Sequence, residues 1–160
     1  MKILLVSDTH ERTKELLPLL ERYATEVQLV IHLGDHAGDL LQYQRDFPQL
    51  NMVAVLGNCD YGPPQMREEI LTIHGKRLLL THGHTLGVKE GHSRLALCAQ
   101  EKGVHAAFYG HTHIGAVHDY KGILIMNPGS PCFPRGGSKA SYGIVEISED
   151  GELLSEVILI

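Results

Sequence analysis

A mixed α/β architecture, two sheets packed face to face with helices outside, follows from two features of this 160-residue chain. The first third alternates continuous apolar strands with helices, which describes a parallel sheet covered on both faces. The remainder alternates apolar runs with short Gly-containing turns, which describes antiparallel strands. The length suits one domain spanning residues 1–160, large enough to bury a core without disulfides.

The elements follow in order. Lys2 to Ser7 is a buried strand closed by small and polar residues. Thr13 caps a helix through Tyr23 that carries Leu16, Leu17, Leu19 and Leu20, with Pro18 set to kink it or delay its start. Val27 to Leu33 is the second strand. Gly38 to Phe47 is a short helix with Asp39 as its cap and Pro48 as its stop, and Asn51 to Leu56 is the third strand. Past the loop Tyr61-Gly62-Pro63-Pro64, Glu68 to Ile73 and Arg77 to Thr81 flank His74-Gly75-Lys76 as a hairpin. A helix from Lys89 to Lys102 ends at Gly103, and Val104 to Tyr109 returns to strand. Ala116 to Tyr120 and Ile123 to Met126 pair about Lys121-Gly122. Asn127 to Gly137 is a glycine- and proline-rich loop, and Tyr142 to Ile147 with Glu152 to Ile160 form a last hairpin.

Composition narrows the function. A formal charge of −5 argues against an extended nucleic-acid face, which needs basic excess. No apolar run approaches a membrane span, and Ile3 to Val6 is too short for the apolar region of a signal peptide, so a cytoplasmic location is expected. Cys59, Cys98 and Cys132 are odd in number and far apart, which fits neither a disulfide framework nor a zinc knuckle. The unusual feature of the composition is histidine, 11 in 160, too many to be incidental. The oligomeric state is not readable from these features.

Oxygen and nitrogen ligands recur just past the apolar runs: Asp8-Thr9-His10, Gly34-Asp35, Gly57-Asn58, Thr81-His82 and Gly110-His111-Thr112-His113. Side chains alternate along a strand, but a turn at its end can fan two imidazoles toward neighbouring points. Asp8, His10 and His113 are suited to hold one divalent ion, Asn58, His82 and His111 a second, and the Asp35 carboxylate can bridge them. Ions so bridged sit roughly 3.5–4 Å apart and can clamp the attacking and leaving oxygens of a phosphoryl transfer, while a shared water loses a proton near neutral pH. The nucleophile expected is therefore a metal-bound hydroxide, with Asp35, Asn58 and His82 at the centre of the chemistry.

The series Asp8-x-His10, Gly34-Asp35, Gly57-Asn58-x-Asp60, His82-Gly83-His84 and Gly110-His111-x-His113 resembles the calcineurin-like metallophosphoesterases, and among them the small YfcE-like phosphodiesterases. The likeness runs from Met1 to Arg135. It implies a four-layer α/β/β/α sandwich, a dinuclear site with the same ligands, and hydrolysis of a small phosphodiester. Where larger members carry a histidine after Gly-Asn, this chain has Cys59. A neutral thiol carries no positive charge, so its worth as a general acid is doubtful. The likeness also extends to a trafficking-complex subunit that keeps the fold as a scaffold, an alternative of a different class.

The remaining candidates take supporting parts. Arg135 is placed as a phosphate clamp because its planar fork matches two oxygens. His84 is placed either behind His82 or against substrate phosphate, Cys59 beside the substrate, Asp60 against the Asn58 amide, and His32 behind the ligands. Mixed carboxylate, amide and imidazole donors suit Mn²⁺ first, with Ni²⁺, Fe²⁺, Zn²⁺ or Mg²⁺ as alternatives.

Overall fold

The computed structural model describes residues 1–160. Two mixed five-stranded sheets stack with helices on their outer faces. The first sheet has the order β10-β9-β1-β2-β3 and the second β4-β5-β6-β8-β7. The strands are β1 (Lys2–Val6), β2 (Leu29–His32), β3 (Asn51–Ala54), β4 (Glu68–Ile73), β5 (Lys76–Thr81), β6 (Ala106–Phe108), β7 (Gly115–Tyr120), β8 (Ile123–Pro128), β9 (Ser141–Ile147) and β10 (Leu153–Leu159). The helices are α1 (Thr13–Tyr23), α2 (Gly38–Leu41) and α3 (Ser93–Glu101). None is long and apolar enough to cross a membrane.

Strand alternation builds the layers. Ile3, Leu5, Ile31, Leu78, Leu80, Ala106, Phe108 and Met126 point inward and fill the space between the sheets. Their neighbours Leu4, Val6 and Val30 point outward and are covered by Leu16, Leu19, Leu20 and Tyr23 of α1 and by Leu40 of α2. Spacing of three and four puts those α1 residues on one face. On the opposite side Leu79, Ala107 and Ile125 meet Leu95, Ala96 and Ala99 of α3. The expected α/β/β/α sandwich is thus present.

Several local expectations are corrected. Thr13 is the first residue of α1 rather than its cap; the cap position is Arg12, and no side chain bonds there. Pro18 does not delay the helix: it lies inside Thr13–Tyr23 on the exposed side, where a carbonyl left without its N–H partner is open to solvent. The second helix is only Gly38–Leu41, continued by a 3-10 turn Gln42–Arg45, and Asp39 does not cap it. The third begins at Ser93 instead of Lys89, since Gly87 and Gly91 hold left-handed φ values of 63° and 141° that break the helical path.

Topology then places the site. β1, β2 and β3 are parallel, as are β5, β6 and β8, so the carboxyl ends of six strands open toward one rim. Loops on that rim carry every cluster of polar residues that the sequence singled out.

Candidate metal centre

Five loops supply the side chains: β1 delivers Asp8 and His10, β2 Asp35, β3 Asn58, β5 His82, and β6 His111 and His113. Their backbones are unusual. Of nine non-glycine residues with positive φ, seven lie in three of these loops: Asp8 (58°), His10 (48°), Glu11 (66°), Asp35 (58°), His36 (71°), His111 (68°) and His113 (61°). The other two, His74 and Lys121, sit in hairpin turns. Left-handed geometry costs an L-residue roughly 1 kcal/mol or more, and its concentration here is what turns alternating side chains toward a common point.

The side chains converge in two groups that share Asp35. Asp8, His10, Asp35 and His113 bring ligand atoms within 4.8 Å of one another, and Asp35, His82 and His111 do the same. His113 Nε2 lies 3.2 Å from Asp8 Oδ1 and 3.4 Å from His10 Nε2, while His82 Nε2 lies 3.3 Å from Asp35 Oδ1 and 4.0 Å from Asp8 Oδ1. Donors that each stand about 2.0–2.2 Å from a common ion are separated by such distances.

Hydrogen bonds fix which atoms are free. His113 Nδ1 donates to Phe133 O at 2.6 Å and His82 Nδ1 to Leu33 O at 2.7 Å. Each neutral ring therefore keeps its Nε2 lone pair for the centre. Asp8 Oδ2 accepts from His111 N at 3.0 Å, leaving Oδ1. Asp8 Oδ1 and His82 Nε2 are both buried and without a hydrogen-bond partner. Orphaned acceptors in a protein interior are costly unless cations meet them, so the residues present fit divalent metal.

The charges agree. Burial raises the Asp8 carboxyl to about 6, with help from Asp35 and against the pull of His82. Burial works to lower the proton affinity of His82, but Asp35 and Asp8 outweigh it and raise that affinity: the two carboxylates draw positive charge to the His82 Nε2 position, which is what a metal-binding site requires. Asp35 is held well below the ordinary carboxylate range; burial opposes this, and His82 and the Cys59 amide overcome it. Burial holds His111 and His113 down to about 4, so both rings are neutral near pH 7, as metal ligands must be.

Asn58 stands exposed at the rim, its amide donating to Cys59 Sγ at 3.3 Å. Cys59 N donates to Asp35 Oδ1 at 2.9 Å, and burial, with Asp35 adding, pushes the thiol up to about 11. Gly57 lies so close that a Cβ there would collide with the Asp35 carboxylate. Asp60 does not bond the Asn58 amide; it accepts from the backbone N–H groups of His36, Ala37 and Gly57 at 2.7–3.0 Å and ties the β2 loop to the β3 loop. His32 is fully buried behind the ligands: Nδ1 accepts from Gly34 N, and Nε2 lies 2.9 Å from Thr9 Oγ1. His84 Nε2 is taken by Arg67, and its Nδ1 is buried. Arg135 is exposed, near enough for its charge to lower the proton affinity of His10 and His113 after the larger effect of burial.

Some supporting residues escaped the sequence reading. Asp39 is buried; it accepts from Thr9 Oγ1 at 2.6 Å and Glu11 N at 2.8 Å, bracing the β1 loop. Asn127 Nδ2 donates to Gly110 O at 2.8 Å, and Ser130 Oγ donates to Asp8 O at 2.9 Å, so the end of β8 and the loop after it brace rim loops of both sheets. Asn127-Pro128-Gly129-Ser130 carries strong turn chemistry that hints at such a brace.

This double cluster at the rim of two stacked sheets belongs with a known group. The profile of the calcineurin-like phosphoesterase superfamily domain matches residues 1–150, and the chain is a member of that family. It is 34% identical over 151 residues to a probable metallophosphoesterase, YsnB of Bacillus subtilis, covering 94% of this chain and 86% of that one. To the phosphodiesterase YfcE of Escherichia coli K12 it is 29% identical over 182 residues, covering 99% and 92% respectively. In fold it is similar to the zinc complex of Vps29 from Entamoeba histolytica, with a TM-score of 0.77 at 20% identity, covering 99% of each chain.

Proposed function

We infer that this chain is a metal-dependent phosphodiesterase holding two divalent ions, Mn²⁺ foremost, with a small-molecule phosphodiester as substrate. Asp8, His10, Asp35 and His113 would hold one ion, and Asp35, Asn58, His82 and His111 the other. The observation that carries this reading is the pair of facing, unpartnered buried acceptors, Asp8 Oδ1 and His82 Nε2, inside two ligand groups that share Asp35. When bound, such ions supply Lewis acidity toward phosphoryl oxygens and make hydroxide available near neutral pH, so no nucleophilic side chain is required.

The protein's own part is orientation. Phe133 O and Leu33 O set the imidazole tautomers, the His111 amide fixes the Asp8 carboxylate, and Cys59 N holds Asp35. Because burial pushes the Cys59 thiol up to about 11, it holds its proton too tightly to be an effective general acid near neutral pH, and we assign it no proton transfer. A diester carries one negative charge where a monoester carries up to two, and few cations border the site; both favour the diester. We read the chain as one domain, a reading that the pairing of β9 with β1 supports.

The test is hydrolysis of bis(p-nitrophenyl) phosphate by protein stripped of metal and reloaded with Mn²⁺, Ni²⁺, Zn²⁺ or Mg²⁺. Restored turnover with at least one ion is expected, and none with any would overturn the reading. The fold likeness to Vps29 favours a second reading, a scaffold that binds partners. That reading predicts less than one ion per chain after loading, whereas a scaffold has no chemical need for all seven ligand side chains.

A further inference from the structure

The turn after β3 brings a guanidinium to the rim of the centre. Pro64–Arg67 form a 3-10 turn, anchored because Leu56 N donates to Met66 O at 2.8 Å. Arg67 Nη1 then donates to Gly57 O at 3.1 Å and to His84 Nε2 at 2.9 Å. One nitrogen thus ties the β3 loop of the first sheet to the β5 loop of the second. Because an arginine can only donate, His84 Nε2 accepts, and that ring carries its proton on Nδ1.

Arg67 has no carboxylate partner, whereas the adjacent Glu68 pairs with Lys102 at 2.7 Å. Its Nε and Nη2 make no hydrogen bond within the protein. A half-buried cation held only by neutral acceptors keeps its full charge, and in a chain of net charge −5 its missing partner is an anion. Arg135 differs: it is exposed and its guanidinium makes no hydrogen bond, so binding would first have to order it.

We propose that Arg67 is the site's phosphate-recognising residue, offering Nε and Nη2 to two oxygens of the phosphoryl group while Gly57 O and His84 fix the plane of its fork. Geometry of this kind suits a phosphodiester monoanion and the monoester released from it. The assignment rests on the phosphoesterase reading for its substrate, although anion binding itself is measurable without turnover.

Manganese-loaded wild type, Arg67→Gln, Arg67→Lys and Arg135→Gln are compared by kinetics on bis(p-nitrophenyl) phosphate, by inhibition with inorganic phosphate, and by calorimetric titration with phosphate. Metal content and unfolding midpoint are measured on the same samples. Arg67→Gln is expected to raise KM and weaken phosphate binding each by on the order of 10- to 100-fold, the worth of losing a charged hydrogen-bonding partner, with kcat and metal content little changed. Arg67→Lys should recover part of the loss, having the charge without the fork. Unchanged phosphate affinity in metal-replete Arg67→Gln, or a larger effect of Arg135→Gln, would overturn the assignment. If Arg67→Gln does not fold, Arg67→Lys decides by the same criterion. A wild type that titrates phosphate through Arg67 yet hydrolyses nothing would sink the phosphoesterase reading and leave this one standing.

Discussion

The two halves of the centre are built to different standards of enclosure. Around Asp8, three of the four ligands are buried and the fourth, His10, is stacked on His113 with ring centroids 5.1 Å apart. Around His82 the group opens outward through partly exposed His111, and Asn58 on the same rim is exposed. The closed half is braced by Phe133 O, Ser130 and Asp39; the open half is reached by solvent, Cys59 and Arg67. On the proposed reading the difference sets a division of labour, one half holding an ion firmly and the other admitting substrate.

The substitution with the largest expected effect strikes both halves. Asp35 alone belongs to both groups, so Asp35→Asn should lower kcat on a phosphodiester on the order of 10³-fold or more and reduce bound metal. Activity within tenfold of wild type would show that the halves do not depend on a shared carboxylate.

A smaller pair of changes separates the halves. Asn58→Ala should empty only the open half, leaving about one ion per chain after dialysis, whereas His113→Ala should remove the enclosed ion by deleting a ligand that Phe133 O orients. Elemental analysis of the two variants checks this. Equal metal loss in both would mean that the halves bind as one unit and that enclosure makes no difference.

The unequal bracing also explains what the sequence could disclose. The positions of the converging side chains were legible because each apolar run stops at a small or polar residue: Val6 gives way to Ser7-Asp8, and Tyr109 to Gly110-His111. Parallel strands bring such ends together by topology alone. The braces were less legible, because their partners are remote in the chain. Asp39 looked like a helix cap from its neighbours, but the β1 loop thirty residues earlier offers it the Thr9 hydroxyl and the Glu11 amide, and burial makes those bonds worth more than capping. Arg67 lay in a loop with no local motif, and only the fold places His84 and Gly57 O against it. Helix starts failed at Lys89 and Thr13 because periodicity marks a helix's middle better than its ends.

The smallest expected effect belongs to Cys59, which lies on the open half without being one of its ligands. What Cys59 gives Asp35 is a backbone N–H, which alanine gives equally well. What it gives Asn58 is a sulfur acceptor at 3.3 Å, a weak bond at an exposed site that water replaces. The thiol itself, pushed up to about 11, is almost wholly protonated at neutral pH, and in that form it neither carries positive charge toward a leaving oxygen nor acts as a nucleophile. Cys59→Ala should therefore change kcat/KM by less than about threefold, below roughly 0.7 kcal/mol of transition-state stabilisation. If instead it lost activity on the scale of Asp35→Asn with metal content intact, the open half would contain a proton donor, and its role would extend beyond admitting substrate.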